Sequence, residues 1–229
     1  MLKQEIAIGS DMDSTGIPVS GHISGRHALA DAFSLMGARL KFDRNSEIYG
    51  EGEAAEYAYK VVSGVVRTHK LLQDGRRQIS AFHVPGDVFG LDAVDEHRFT
   101  AEAVSNTVVI FVKRSALVSL AARDGEVAND LWMMAAAELN RAHEHMLLLG
   151  RKSAQERIAA FLLEMAGRAE QSDTVDLPMS RLDIADYLGL TIETVSRTFT
   201  LLENAATIEL PSTRRIRLCN RAALSRLNA

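Results

Sequence analysis

Cysteine is nearly absent from this chain. The single thiol, Cys219, excludes an internal disulfide and cannot supply the several thiolates of an iron–sulfur cluster or a structural zinc site. No apolar run reaches the roughly 18 residues that a membrane span needs. The opening MLKQEIAIGSDMDSTG has no apolar stretch behind a basic end, so no secretory leader is expected and a reducing cytoplasm is the expected compartment. A basic excess is also missing: 26 Lys and Arg stand against 30 Asp and Glu, a net charge of −4 that does not indicate a globally basic nucleic-acid binder. What remains is ordinary globular material. With 229 residues, 47% hydrophobic and 24% charged, the chain has room for two domains and is neither disordered nor collagen-like.

The distribution of charge says more than its sum. Residues 1–151 carry the whole excess, 16 basic against 20 acidic; residues 152–229 hold 10 of each. Within the latter, Pro211 to Ala229 contains Arg214, Arg215, Arg217, Arg221 and Arg226 and no acid. Such an end is either a solvated tail or a surface for an anionic partner.

The texture changes along the chain. Residues 1–27 are expected to form a flexible arm, because Gly, Ser, Asp and Pro18 break every period. A short helical pattern runs from Ala28 to Leu40. From there to Lys113 the runs Tyr57–Val66, Ile79–Val84 and Val104–Val112 are rich in β-branched and aromatic residues. Turn glycines punctuate them, and Asp74-Gly75 predicts a type I′ hairpin. Together they predict a β-sandwich or jelly roll over residues 28–124. A short helix over 115–122 and a long one over 125–150 follow. In the long helix Leu131, Ala135, Leu139, Ala142, Met146 and Leu149 step by 4, 4, 3, 4 and 3, a coiled-coil-like seam that needs a partner, either the β-domain of its own chain or a second copy. The additional apolar residues Trp132, Met133 and Met134 favour a dimer, one face meeting the barrel and the other the partner. Gly150 is a plausible hinge to a C-terminal unit over 151–229, which starts with an amphipathic helix (Ile158, Phe161, Leu162, Met165) that ends at Gly167, before a polar turn at Gln171-Ser172-Asp173.

Residues 180–203, SRLDIADYLGLTIETVSRTFTLLE, carry the function. Ser180 and Asp183 make a helix-start pair. Gly189 suits a tight turn, Thr191 can cap a second helix, and Ala185 is small where two helices cross. These are the parts of a helix-turn-helix. On the second helix Val195, Phe199 and Leu202 share an inward face. Glu193, Ser196 and Arg197 share another, and their groups suit base edges: Arg to guanine, Glu to cytosine, Ser to either. Ile192 stands beside them at the start of the helix. The bland alternative is an i,i+4 surface ion pair between Glu193 and Arg197. Beyond the helix, Ile208–Leu210, a turn at Pro211-Ser212 and Arg214–Leu218 predict a two-stranded wing whose Arg214, Arg215 and Arg217 suit phosphates, as do Ser180, Thr191 and Thr194.

The whole pattern resembles the CRP/FNR family of transcription regulators. The resemblance rests on Ser63-Gly64, Asp74-Gly75-Arg76 and Pro85-Gly86-Asp87-Val88-Phe89-Gly90 in the β-region. In the reading helix it rests on Glu193, Ser196 and Arg197, and LPMSRLDIADYLGLTIETVSRTF is especially similar to the FixK branch. The resemblance implies an α+β chain: an N-terminal antiparallel β-jelly roll of the sensor type, a long dimerisation helix, and a C-terminal winged helix-turn-helix. It also implies a homodimer reading a palindrome (TTGAT, four free base pairs, ATCAA), contact with RNA polymerase, and genes of low-oxygen respiration or nitrogen fixation. Departures from the pattern matter too. Leu91 stands where cyclic-AMP-binding members carry a Glu, and Arg98 is followed by Phe99 and Thr100 rather than Ser or Ala. No cyclic-nucleotide effector or other cofactor is therefore expected. Ser180 stands where FixK-type sequences often carry Cys, so it cannot serve as a redox handle. Asn204-Ala205-Ala206 replaces a Gly-containing turn.

Two rivals remain. A ligand-gated regulator could line an apolar pocket with Phe82, Phe89, Leu91 and Phe99, although these suit a core equally. A cupin-like metalloenzyme would need clustered ligands. His69, His83 and His97 are scattered, His143 and His145 do not share a helix face, and surface imidazoles are the expectation. No Gly-x-Ser-x-Gly elbow and no phosphate-loop or dinucleotide fingerprint is present, so no enzyme is expected.

Overall fold

A computed structural model describes residues 28–92, 94–168 and 173–228. The expected arm, 1–27, lies outside the described residues, as do Gln171 and Ser172 of the expected polar turn.

Helix α1 (Ala28–Met36) is followed by eight strands: β1 (Ala38–Phe42), β2 (Glu47–Tyr49), β3 (Tyr57–Ser63), β4 (Val66–Leu71), β5 (Arg77–His83), β6 (Val88–Phe89), β7 (Thr100–Ala103) and β8 (Thr107–Lys113). They form two antiparallel four-stranded sheets, ordered β1-β8-β3-β6 and β2-β7-β4-β5. Packed face to face, they bury Tyr49, Tyr59, Val61, Val66, Phe89, Ala101 and Val109 between them. This is the expected jelly roll. Two local readings need correction. Leu40 belongs to strand β1, not to a helix. The helix stops at Met36; the Gly37 N–H still closes on the Phe33 carbonyl, and Gly37 then passes so close to β8 that a Cβ there would collide with Ile110. The β4–β5 hairpin is not a two-residue type I′ turn. Five residues connect the strands, the Gly75 N–H bonds the Leu72 carbonyl, and only Gly75 has a left-handed φ, of 82°.

Helix α2 (Arg114–Ala121) leads to α3 (Gly125–Arg151), whose N-cap Asp124 accepts from the N–H groups of Glu126 and Val127. Gly150 lies within α3, which ends one residue later. The predicted seam divides: Ala135, Leu139, Ala142 and Met146 are exposed, whereas its two end residues pack within the chain. Leu131 and Met134 pack on the β-domain cluster of Leu29, Phe33, Ile110 and Leu117, and Leu149 packs on the C-terminal core. Trp132 and Met133, expected off the seam, are exposed at 71% and 59%; Leu139 and Met146 are exposed at 56% and 63%. The free stripe thus runs Trp132, Leu139, Met146, a strict seven-residue step.

The C-terminal unit holds α4 (Ala154–Arg168), β9 (Thr174–Asp176), α5 (Arg181–Leu188), α6 (Ile192–Asn204), β10 (Ile208–Ser212), β11 (Arg215–Leu218) and α7 (Arg221–Asn228). Its strands order as β10-β11-β9, so the wing has a third strand that the sequence pattern did not reveal. Ile158, Phe161, Leu162, Ile184, Leu188, Val195, Phe199, Ile208, Ile216 and Leu224 close its core. That core is continuous with Ile79 and Phe82 of β5.

Candidate DNA interface

The first turn of α5 is built by a complete capping box. The Ser180 hydroxyl accepts from the Asp183 N–H at 3.1 Å, and Asp183 Oδ2 accepts from the Ser180 N–H at 2.9 Å. The Ser180 hydroxyl also donates to Asp183 Oδ2 at 2.8 Å. Both roles of this hydroxyl are therefore taken inside the box, so Ser180 does not present a free group to a phosphate as expected. Gly189 follows with φ 61°, the left-handed turn that a helix-turn-helix needs. Thr191 then caps α6 by accepting from the Thr194 N–H at 3.2 Å.

Helix α6 divides as its periodicity predicts. Val195, Phe199 and Leu202 are buried, while Ile192, Glu193, Ser196 and Arg197 face solvent and Thr194 is half-buried. The Arg181 guanidinium stacks 3.6 Å over the Phe199 ring and fixes the crossing of α5 on α6. The Ser196 hydroxyl donates to the Ile192 carbonyl at 2.8 Å, leaving its oxygen able to accept. The Glu193 carboxyl sits below the usual carboxylate range, chiefly because its own N–H and the Thr191 hydroxyl bond it, with a smaller pull from Arg197. Among the described residues Arg197 makes no ion pair, so the i,i+4 surface pair of the bland alternative is not formed.

The wing arginines differ among themselves. Arg215 Nε lies 2.8 Å from Asp176 Oδ1, and Arg217 pairs with Glu209. Arg214, at the wing tip, is exposed and has no ion pair among the described residues. At the base of the wing Ala206 takes φ 50°, the left-handed conformation that glycine tolerates best, at the turn where the family pattern carries Gly.

The barrel histidines are not surface imidazoles. His69, His83 and His97 are all buried. His83 stacks on Phe89, and Thr68 Oγ1 lies 3.2 Å from its Nε2; burial pushes its pKa down to about 4. His97 stacks on Tyr49 and bonds Asp92 at 2.8 Å. No group of three or more metal-ligating side chains exists among the described residues. A cavity of about 1070 Å³ opens between the β-roll, α3 and α4, and Phe82, Phe89, Leu91 and Phe99 all border it. Phe82 and Phe89 are core residues at the same time.

The sequence reading missed how the reading head is held. Arg67 on β4 grips Glu102 of β7 with Nε at 3.2 Å and Nη2 at 2.8 Å, and its Nη1 reaches Asp183 at 2.8 Å. Arg77 on β5 reaches Asp183 at 2.6 Å and Asp186 at 2.8 Å. Beside them the Tyr187 ring meets Phe82 at 5.2 Å and stacks on His145 at 4.2 Å. The only sequence signal was the i, i+3, i+4 set Asp183, Asp186 and Tyr187, a polar face on a helix whose other side is core.

Two family models cover most of the chain. A Crp-like helix-turn-helix domain matches residues 156–227, and a cyclic nucleotide-binding domain matches residues 39–124. The nitrogen fixation regulation protein FixK of Azorhizobium caulinodans is 54% identical over 205 residues, covering 87% of this chain and 83% of the relative. The chain belongs to the CRP/FNR family, in its FixK branch. FixK of Rhizobium meliloti is 43% identical over 196 residues, 84% of this chain and 89% of that one. The structure of FixK2 from Bradyrhizobium japonicum superposes with a TM-score of 0.82 at 53% identity, covering 85% of this chain and 98% of that one. This CRP/FNR member is a FixK-like transcription regulator with a helix-turn-helix DNA-binding domain; its relatives are regulators, not enzymes. Among the described residues no helix is long and apolar enough to cross a membrane.

Proposed function

We propose that the chain is a homodimeric transcription activator of the cytoplasm that reads a palindrome of TTGAT and ATCAA half-sites four base pairs apart. It acts with RNA polymerase on genes of low-oxygen respiration or nitrogen fixation, and it needs no cyclic nucleotide. The observation that carries this reading is the solvent face of α6: Arg197 with a free fork, Glu193 held ionised, and Ser196 and Ile192 beside them. In this reading Arg197 and Glu193 address bases directly, and Thr191, Thr194, Arg214, Arg215 and Arg217 hold phosphates. Two such helices, about 34–36 Å apart, fit successive turns of one DNA face. The stripe Trp132, Leu139, Met146 supports the dimer, with Ala135 and Ala142 beside it, because a large apolar row on a long helix needs a partner. The FixK relatives, both nitrogen fixation regulation proteins, support the nitrogen-fixation role. Leu91 after Gly90 and Phe99 after Arg98 support independence from cyclic nucleotides.

The cavity of about 1070 Å³ favours a second reading, in which a small molecule other than a cyclic nucleotide gates the protein. A fluorescence titration onto a labelled palindrome and a scrambled duplex, with and without cyclic AMP, tests the first reading. Tight specific binding without cyclic AMP is expected. Binding that requires cyclic AMP overturns the reading of Leu91, and equal binding to both duplexes overturns the operator.

A further inference from the structure

Besides Arg168 of α4, which bonds the Phe82 carbonyl at 2.7 Å and Asp87 at 3.0 Å, two ties join the reading head to the rest of the chain. The first is the end of α3. The Arg157 guanidinium donates from Nη2 to the Leu149 carbonyl at 2.8 Å, from Nε to the Lys152 carbonyl at 2.9 Å, and from Nη1 to the Leu188 carbonyl at 2.8 Å. One side chain thus knots the last turn of the long helix to the turn between α5 and α6. The second is the ionic seam on the β-roll. Arg67 and Arg77 converge on a single oxygen, Asp183 Oδ1, and Arg77 also holds Asp186. The Arg67 and Asp183 side chains are only 8% and 4% exposed. Gln78 Nε2 donates to the Tyr187 carbonyl at 3.3 Å.

The C-terminal unit closes an apolar core that runs on into β5, so burial and not the seam supplies the bulk of its packing. Replacing buried ion pairs by apolar residues of similar size is often neutral or stabilising, so stability alone gives no reason for them, whereas their directional bonds tolerate little rotation. Asp183 lies in the first turn of α5, and α5 packs rigidly on α6 through Ile184, Ala185 and Val195. A rotation of α5 on the β-roll is therefore a rotation of the reading helix.

We propose that the β-roll aims the reading helix through α5, and that Arg77 and Asp186, backed by Arg67 and Asp183, are positioning residues for operator recognition. The seam does mechanically what a bound effector would otherwise do: it fixes the separation of two heads before DNA arrives, which lowers the ordering cost of engaging both half-sites. This inference rests on the two-half-site reading above and extends it to spacing.

The test is a titration of wild type, Arg77→Gln, Arg77→Lys and Asp186→Asn onto duplexes whose half-sites are two, four or six base pairs apart, and onto a duplex with one half-site. Thermal unfolding is recorded for each variant. We expect Arg77→Gln to bind the four-base-pair duplex about tenfold more weakly, as loss of preorganisation predicts, and to discriminate less between spacings. Single-half-site binding stays within about twofold of wild type, since the reading face is untouched. Arg77→Lys restores part of the spacing preference, and Asp186→Asn moves the same way by a smaller factor. If Arg77→Gln does not fold, Asp186→Asn decides, because its partly exposed side chain contacts only Arg77 in the seam. Variants that keep the wild-type spacing preference overturn the inference, as does an equal loss on palindrome and half-site. Wild type without specific binding to any duplex instead overturns the operator reading itself.

Discussion

Two groups of arginines show how environment assigns a role to one side chain. Arg67 and Arg77 lie between the β-roll and α5 with side chains 8% and 19% exposed, each touching two carboxylates. Arg214, Arg215 and Arg217 stand on the wing in solvent, and the ion pairs that two of them make are open to water. In the seam, a lost arginine takes a partner from carboxylates that water scarcely reaches, Asp183 at 4% and Asp186 at 19% exposed. On the wing it leaves little behind, because exposed pairs contribute at most about 1 kcal/mol, and a phosphate can replace Asp176 or Glu209 as partner. The seam arginines shape the protein, whereas the wing arginines are available to DNA.

The largest test of this contrast is Arg67→Ala. It leaves Glu102 without its guanidinium and Asp183 with Arg77 alone, and should lower stability by about 3 kcal/mol in urea unfolding, whereas Arg214→Ala should change stability by less than about 0.5 kcal/mol. Comparable losses for the two would erase the distinction.

Acid is the next probe, since wing arginines do not titrate but the β-roll and seam do. Burial lowers the His83 pKa to about 4 from 6.5, and burial with Arg77 lowers that of His69. Both folded values lie below the unfolded one. Their contribution is thus complete above pH 6.5 and is lost as pH falls; that of His83, on the order of 3 kcal/mol, is gone by about pH 4. Burial raises the Asp183 pKa, but the Ser180 bonds and the two arginines more than offset it, so the value sits below 3.8 and its contribution disappears only below that pH. His83→Gln should flatten the stability profile between pH 6.5 and 4, as followed by urea midpoints. An unchanged slope would remove His83 from this account.

Arg197→Ala should cost about 1–3 kcal/mol of specific binding and relax choice at one base pair per half-site. Retained specificity would move the reading face elsewhere. Arg214→Ala should weaken binding to all sequences alike and reduce the slope of log K against log salt by about 0.9. Arg215→Ala should do less, because Asp176 already partners that guanidinium, and the ratio of the two slopes measures how far wing pairing competes with DNA. The smallest expected effect is at the base of the wing, where Ala206→Gly should stabilise by about 1 kcal/mol by relieving a left-handed alanine.

What was legible in the sequence was local. Ser180, Asp183, Gly189 and Thr191 announced α5, the turn and α6 because caps and left-handed turns are settled within four residues. Val195, Phe199 and Leu202 fell inward because a 3.6-residue period depends on nothing distant. The seam was not legible, since Arg67 and Asp183 are 116 residues apart and no period links them. That Leu131, at the end of the α3 seam, packs on its own β-roll was hidden for a related reason. Heptad spacing selects a helix face but does not say whether Leu131 or Trp132 meets its own β-roll. The buried histidines of the barrel were misread because an isolated His, whether between Thr68 and Lys70 or between Phe82 and Val84, gives no sign of which sheet will cover it.

Because α5 faces both the reading helix and the β-roll, the head is not a portable cassette. A hybrid regulator that joins this β-roll to a head from another protein at the α3–α4 junction would bring a foreign α5 against Arg67 and Arg77. Unless that helix presents acids three residues apart, the graft would strand Arg77 and leave Arg67 with Glu102 alone. Exchanging the α5 face together with β4 and β5, rather than cutting at the apparent domain border, is the partition that this architecture permits.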